Sequence, residues 1–389
     1  MTRLRSALAS LSIAVLGLSA VPHQALAAPP KPVPSVSAAT TQQATSPSSC
    51  APTFKGAQID TRLTQLFTNY GNDNSRTDDW TGADGTYSLR LANGKEVWVF
   101  SDTFLGQVNP DGSRPPVVEE GGTTVFLNNT FAVERNGRLS TIHGGTADKP
   151  VAVMPPRDDK HWYWAGDATV AGGLVEVTYQ EYERYGTGPW DWRWHRNVVA
   201  RFAPGLLSQP VDVTDLPSGG GVAWASAILK DGGYTYVYGV EDLGSPKYMH
   251  LARIRGQSLT GTWEFLKADG TWSRTETDSA RLMSGVANEY SVTKVGSGYV
   301  LITQDTSEIL SPHIVAYSSC SPTGPFTGKQ LIYTTPETGG NIFTYNAHAH
   351  PEISGNGLVV SYNVNSFVNT DHYHDVSIYR PRFIDVSFD

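Results

Sequence analysis

The sequence predicts an all-β chain folded as a five-bladed β-propeller, with four-stranded blades around a central channel. Three observations carry this. Glycine and aromatic residues are abundant (38 Gly, 18 Tyr, 10 Trp), while helix-period patterning is confined to "DTRLTQLFTNY" near residue 60. Five segments share one plan of polar entry, apolar strand, glycine-rich turn, second apolar strand and polar exit. Their entries, at Asp84, Asp167, Trp224, Asn288 and His350, lie 57 to 83 residues apart, and further strand-like runs such as "HLARIRG" and "GTWEFL" fill the intervals. Repetition at that period is the mark of stacked β units, and four-stranded blades set radially around a channel are one such architecture.

In chain order, "MTRLR", the apolar "ALASLSIAVLGLSAV" and a small-residue site ending at Ala27 read as a signal peptide over residues 1–27, which predicts a secreted, extracellular protein. Residues 28–49 are almost all Pro, Ser, Thr, Gln and Ala, too poor in apolar residues to bury a core, and read as a flexible leader. The propeller domain is expected over 50–389, about 340 residues, a length that closed all-β folds reach. In an oxidising compartment the two cysteines, Cys50 and Cys320, are expected to pair.

The five hairpins follow. They are "ADGTYSLRLANGKEVWVFSDTF", "GDATVAGGLVEVTYQEY", "AWASAILKDGGYTYVYGVEDL", "ANEYSVTKVGSGYVLITQDTS" and "AHPEISGNGLVVSYNVNS". Their turns are placed at Asn93-Gly94, Gly172-Gly173, Asp231-Gly232, Gly296-Ser297-Gly298 and Gly355-Asn356-Gly357, residues that tolerate the left-handed backbone of tight hairpins.

The formal charge is −8 and basic residues do not cluster. This argues against nucleic acid and against an anionic membrane, and favours a neutral polysaccharide or oligosaccharide. A monomer is expected. No cofactor is required by any motif, though a structural calcium at the channel centre stays open. His348 and His350 share a strand face, and with His372 and His374 they could be metal ligands. Hydroxyl binding or structural bonding accounts for them as well, and no metal ligand is assigned.

Centring the first turn between Asn93 and Gly94 places Asp84 across from Thr103 and Asp102 one diagonal step away, so both aspartates meet at one rim. Two carboxylates flanking a glycosidic bond can hydrolyse it, provided their surroundings hold one protonated and one ionised. Asp84 and Asp102 are the expected catalytic pair, with Asp102, at the end of an apolar strand, as the acid. A lone Asp102 would instead cap the strand through an Asx turn. The same rim is expected to gather substrate-binding residues: Asp167, Trp164, Trp224, Glu241, Asn288, Glu289, Tyr290, Asp305, Tyr345, His348, His350 and Asn363. The tryptophans of "GPWDWRWHRN" could form a substrate platform or pack one blade on the next.

"WTGADGTYSLRLANGKEVWVFSDTFLG", "WYWAGDATV" and "YNAHAHPEISGNGLVVSYNVNS" resemble a bacterial secreted family long labelled as a domain of unknown function, some of whose relatives are assigned as endo-D-arabinanases. The resemblance implies a five-bladed propeller acting on furanosyl linkages of cell-wall arabinan, with Asp84 and Asp102 matching the family's proposed catalytic pair. More distantly the chain is similar to the arabinanase, xylosidase and invertase propellers, where acids from three blades divide the work. That would favour Asp84, Asp167 and Glu241. A non-catalytic carbohydrate-binding propeller and an exo-glycosidase on another sugar are the rival readings.

Overall fold

Apolar runs alternating with glycine turns cannot close a helix-period face, and the regular structure of the described residues is chiefly antiparallel sheet. The computed structural model describes residues 50–188 and 191–389. The expected signal peptide (1–27), the leader (28–49) and Trp190 lie outside the described residues.

Each of the five sequence-read hairpins is the first strand pair of a sheet. The first sheet runs Tyr87–Arg90, Glu96–Phe100, Thr130–Arg135, Arg138–Ile142, and the second His161–Ala171, Leu174–Arg184, Trp192–Phe202, Asp212–Asp215. The third runs Ala223–Asp231, Tyr234–Asp242, Lys247–Arg255, Trp263–Leu266, with two short strands added at its margin. The fourth runs Tyr290–Val295, Gly298–Gln304, His313–Ser319, Thr327–Thr334. In the fifth, Ile342–His350, Leu358–Ser366 and Pro381–Phe388 are completed by Phe54–Ile59 from the other end of the described chain. A disulfide joins Cys50 to Cys320, just past the third strand of the fourth sheet.

Each innermost strand lies against that of the next sheet, and Ile342–His350 lies against Tyr87–Arg90, so the series returns to its start. Hydrogen bonds near the strand entrances stitch this order together. Ser101 Oγ accepts from the Ala165 N–H (3.0 Å), Asp167 from the Ile228 N–H (2.6 Å), and Ser291 Oγ from the Ala349 N–H (3.0 Å). Ser226 donates to the Asn288 carbonyl (2.7 Å), and Asn363 donates to Thr86 Oγ1 (3.0 Å). Polar groups at the strand entrances thus satisfy buried backbone partners of the neighbouring sheet, where an unpaired group would cost about 1–3 kcal/mol.

Turn geometry departs from expectation at one place that matters. The second hairpin turns at Gly172-Gly173 as read, while the third turns at Gly232-Gly233, one residue later. In the first hairpin Leu91 N–H donates to the Lys95 carbonyl (2.8 Å) and Gly94 is left-handed (φ 78°). This is a three-residue loop of type I turn plus αL glycine, not a two-residue turn. The register moves by one residue: Ala83, and not Asp84, pairs with Thr103.

The expected helix forms over Thr61–Gly71, capped by Asp60 accepting from the Leu63 N–H (2.9 Å). Its buried Leu63 and Phe67 pack on Trp80, Trp98, Phe100 and Phe383, plugging the base of the first sheet. Truncating Trp98 there would cost about 3–5 kcal/mol.

Candidate functional site

With the register set by the three-residue loop, Asp84 stands level with Asp102. The Asp84 N–H donates to the Asp102 carbonyl (3.1 Å), and the Ser101 N–H donates back to the Asp84 carbonyl (2.9 Å). Gly85 makes this possible. It is left-handed (φ 60°), and a Cβ on it would lie 2.6 Å from Ser101 Oγ, so any other residue would push the two strand ends apart.

Both carboxylates are buried, and each is half satisfied. Asp84 Oδ2 accepts from the hydroxyls of Tyr345 (2.5 Å) and Tyr379 (2.9 Å), while Oδ1 has no partner. Asp102 Oδ1 accepts from Asn128 Nδ2 (2.9 Å) and Trp164 Nε1 (2.8 Å), while Oδ2 has no partner. Burial pushes Asp84 up to about 6, against the pull of its two tyrosines. Burial, and next the charge of Asp84, hold Asp102 well above the ordinary carboxylate range. The two surroundings thus raise both carboxyls, Asp84 against the pull of two tyrosines and Asp102 with the charge of Asp84 adding to burial, an asymmetry of the kind acid–base chemistry requires.

A third carboxylate shares this basin. Glu289 takes a hydrogen bond from Tyr87, feels the charge of Asp84, and leaves Oε2 without a partner; burial raises it well above the usual range. Beside it Asn288 Nδ2 donates to Asp242 (2.9 Å). His348 stacks edgewise on Tyr87 (4.7 Å) with neither ring nitrogen bonded, and burial depresses it to about 4, so the ring is neutral. Asp167 is pushed up to about 8 by burial, but both its oxygens accept backbone N–H groups, of Ala168 (2.7 Å) and Ile228 (2.6 Å). Its role in the structure is to join two sheets.

Several expected contacts lie elsewhere. Trp224 is core: it packs on Trp263 and Phe265, and its indole N–H is spent on Glu276 (2.8 Å). Tyr290 is buried between the third and fourth sheets, donating to the Gly239 carbonyl (2.9 Å). Glu241 is held by Arg281 through both oxygens (2.6 and 2.8 Å), which keeps it below its ordinary range, and Asp305 is likewise lowered and paired with Lys329 (2.7 Å). Period and polarity cannot distinguish such ion pairs from free acids. His350 is structural, bonded to Ser88 (2.5 Å) and Ser361 (2.8 Å). Asn363 supports the site indirectly, bonding Thr86 two residues past Asp84.

Tyr87, Asn128, Tyr182 and Tyr379 were not legible as site residues. Tyr379 comes from a loop 295 residues after Asp84, and only closure of the chain brings it there. Glu352 was missed too. It accepts a hydrogen bond from Ser88, and burial raises it to about 7.

Among the described residues, one grouping of metal-ligand type occurs, His161, Glu181 and His195. The Arg157 guanidinium lies 2.5 Å from His161 Nε2 and 3.1 Å from Glu181, which places a positive charge where a metal would stand. Among the described residues, His348 and His350 form no such group with His372 and His374.

Residues 64–388 match the model of a family described as Domain of unknown function (DUF5005). The chain belongs to that family. No curated protein matches the DUF5005 chain. Among solved structures it is similar to a provisionally assigned hydrolase from Bacteroides ovatus, at 21% identity and a TM-score of 0.70, over 85% of this chain and 90% of that one. At that identity the likeness shows a shared fold. A GH43 enzyme from Xanthomonas citri overlays more loosely (TM-score 0.46, 14% identity, 82% and 92% of the two chains). So does a GH43 β-xylosidase/α-arabinofuranosidase from a compost metagenome (0.43, 13%, 87% and 94%).

Proposed function

We propose that this DUF5005 protein is a secreted, monomeric glycoside hydrolase. Five of its sheets are the blades of a five-bladed propeller, and it acts endo-wise on furanosyl, D-arabinan-type cell-wall polysaccharide. One observation carries the reading: Asp84 and Asp102 leave the backbone at the same level, buried, each with one oxygen held by fixed donors and one left without a partner. A glycosidic bond set between them would find a protonated carboxyl, Asp102, for the leaving oxygen, and an ionised one, Asp84, to activate water or attack. Tyr345 and Tyr379 keep Asp84 ionised and aimed, while Asn128 and Trp164 orient Asp102. A formal charge of −8 fits a neutral substrate, and the furanosyl preference rests on the resemblance of the first-hairpin motif.

The test is oligosaccharide release from mycobacterial-type arabinogalactan by the mature protein beside Asp84→Asn and Asp102→Asn. Release lost in both variants supports the pair. Release that survives Asp102→Asn and is lost in Glu289→Gln transfers the acid role to Glu289. A folded wild type that releases nothing from arabinogalactan or from L-arabinan overturns the furanosidase reading.

A further inference from the structure

The second sheet is built differently from the others. Its first three strands are 11 residues each, against four to nine for the first three strands of the other four hairpin-led sheets. Alternation along these long strands sets Trp162, Trp164, Tyr182 and Trp192 together. All six ring pairs are in contact, with centroids 4.4 to 6.1 Å apart, and Trp162 stacks on Tyr182 at an interplanar angle of 16°. Packing between sheets does not account for them. Trp80, Trp98, Trp224 and Trp263 belong to the buried core clusters, whereas none of these four rings does, and each stays partly exposed.

The cluster adjoins the carboxylate basin. Trp164 Nε1 donates to Asp102 (2.8 Å), and the hydroxyl of Tyr182 lies within the field of Asp242 and Glu289, whose charges add to burial in raising it. The indole N–H of Trp162 is buried without a partner. The exposed parts of these aromatic surfaces suit a sugar ring, which stacks its C–H face on them.

From this geometry we infer that Trp162, Tyr182 and Trp192 form a stacking subsite for a neutral glycan chain, continuous through Trp164 with the acid pair, which fixes the linkage presented to Asp102. The subsite rests on the glycosidase reading for its purpose but not for its detection, since binding needs no hydrolysis.

The experiment measures retardation of the mature protein in native gels containing mycobacterial-type arabinogalactan or L-arabinan, in an Asp84→Asn background. Trp162→Ala and Tyr182→Ala, checked for unchanged melting temperature, are expected to weaken retention at least fivefold on the glycan that retards the background protein, and Trp162→Phe to restore most of it. Full retention in both alanine variants, equal loss in Trp162→Phe and Trp162→Ala, or no retardation of the background protein by either glycan overturns the subsite. Retention without any release by the wild type would instead sink the hydrolase reading and leave the subsite standing.

Discussion

The N–H of Asp84 donates to the carbonyl of Asp102 at 3.1 Å, so two buried carboxylates share one rung at the end of the first hairpin. Each then recruits support from a different part of the chain: Asp84 from tyrosines near the C-terminal end, and Asp102 from Trp164 of the second sheet.

This division sets the pH profile. Asp84 must be ionised and Asp102 protonated, so activity should climb as pH rises through about 6, where Asp84 loses its proton, and fall on the alkaline side as Asp102 ionises. A kcat/KM profile between pH 4 and 10 checks both limbs. A profile already flat at pH 4.5 would contradict the assignment of Asp84 as the ionised partner.

Removing one hydroxyl from Asp84 should move the acid limb. Tyr345→Phe and Tyr379→Phe each delete a hydrogen bond that favours the charged form, and a bond to a charged group is worth about 1.5–3 kcal/mol. The limb should shift upward by about one to two pH units. A fall in kcat without any shift would mean that the tyrosines act in another way.

Glu352 links pH to stability. Burial raises it from the ordinary range to about 7 in the fold, so the unfolded chain releases this proton first. Its stabilising contribution is complete below the unfolded pKa and is lost as pH rises to about 7. Glu352→Gln should therefore show a smaller loss of unfolding free energy between pH 4.5 and 8 than the wild type, read by urea titration. Equal losses would show that Glu352 titrates normally.

The disulfide should matter to the whole fold. It spans 270 residues, and closing so long a loop removes unfolded-state freedom worth about 5 kcal/mol in the chain-entropy account. Cys50→Ser with Cys320→Ser should lower the melting temperature by roughly 7 °C, while the native far-ultraviolet spectrum at 20 °C persists. An unchanged melting temperature would show that the strand Phe54–Ile59 holds its place unaided.

Much of this protein was legible in one dimension. Period-2 alternation and glycine turns located the five hairpins, and an Asp followed by a helical pattern located the helix at Thr61, because these features depend on neighbours a few residues apart. The pairing of Asp84 with Asp102 was legible for the same reason, to within one residue. The missing residue lay in the turn, where Asn93-Gly94 serves a two- or a three-residue loop equally well.

What tertiary structure alone decided was which polar groups are free. Glu241 and Asp305 match Asp102 in pattern, yet distant cations, Arg281 and Lys329, neutralise them. Trp224 and Trp164 both stand near strand entrances, yet one is sealed in a core and the other bonds the candidate acid. Partners 24 to 62 residues away settle these outcomes. The sequence determined where strands begin and turn, and the closing of the sheets on one another determined which carboxylates are left with an oxygen to spare.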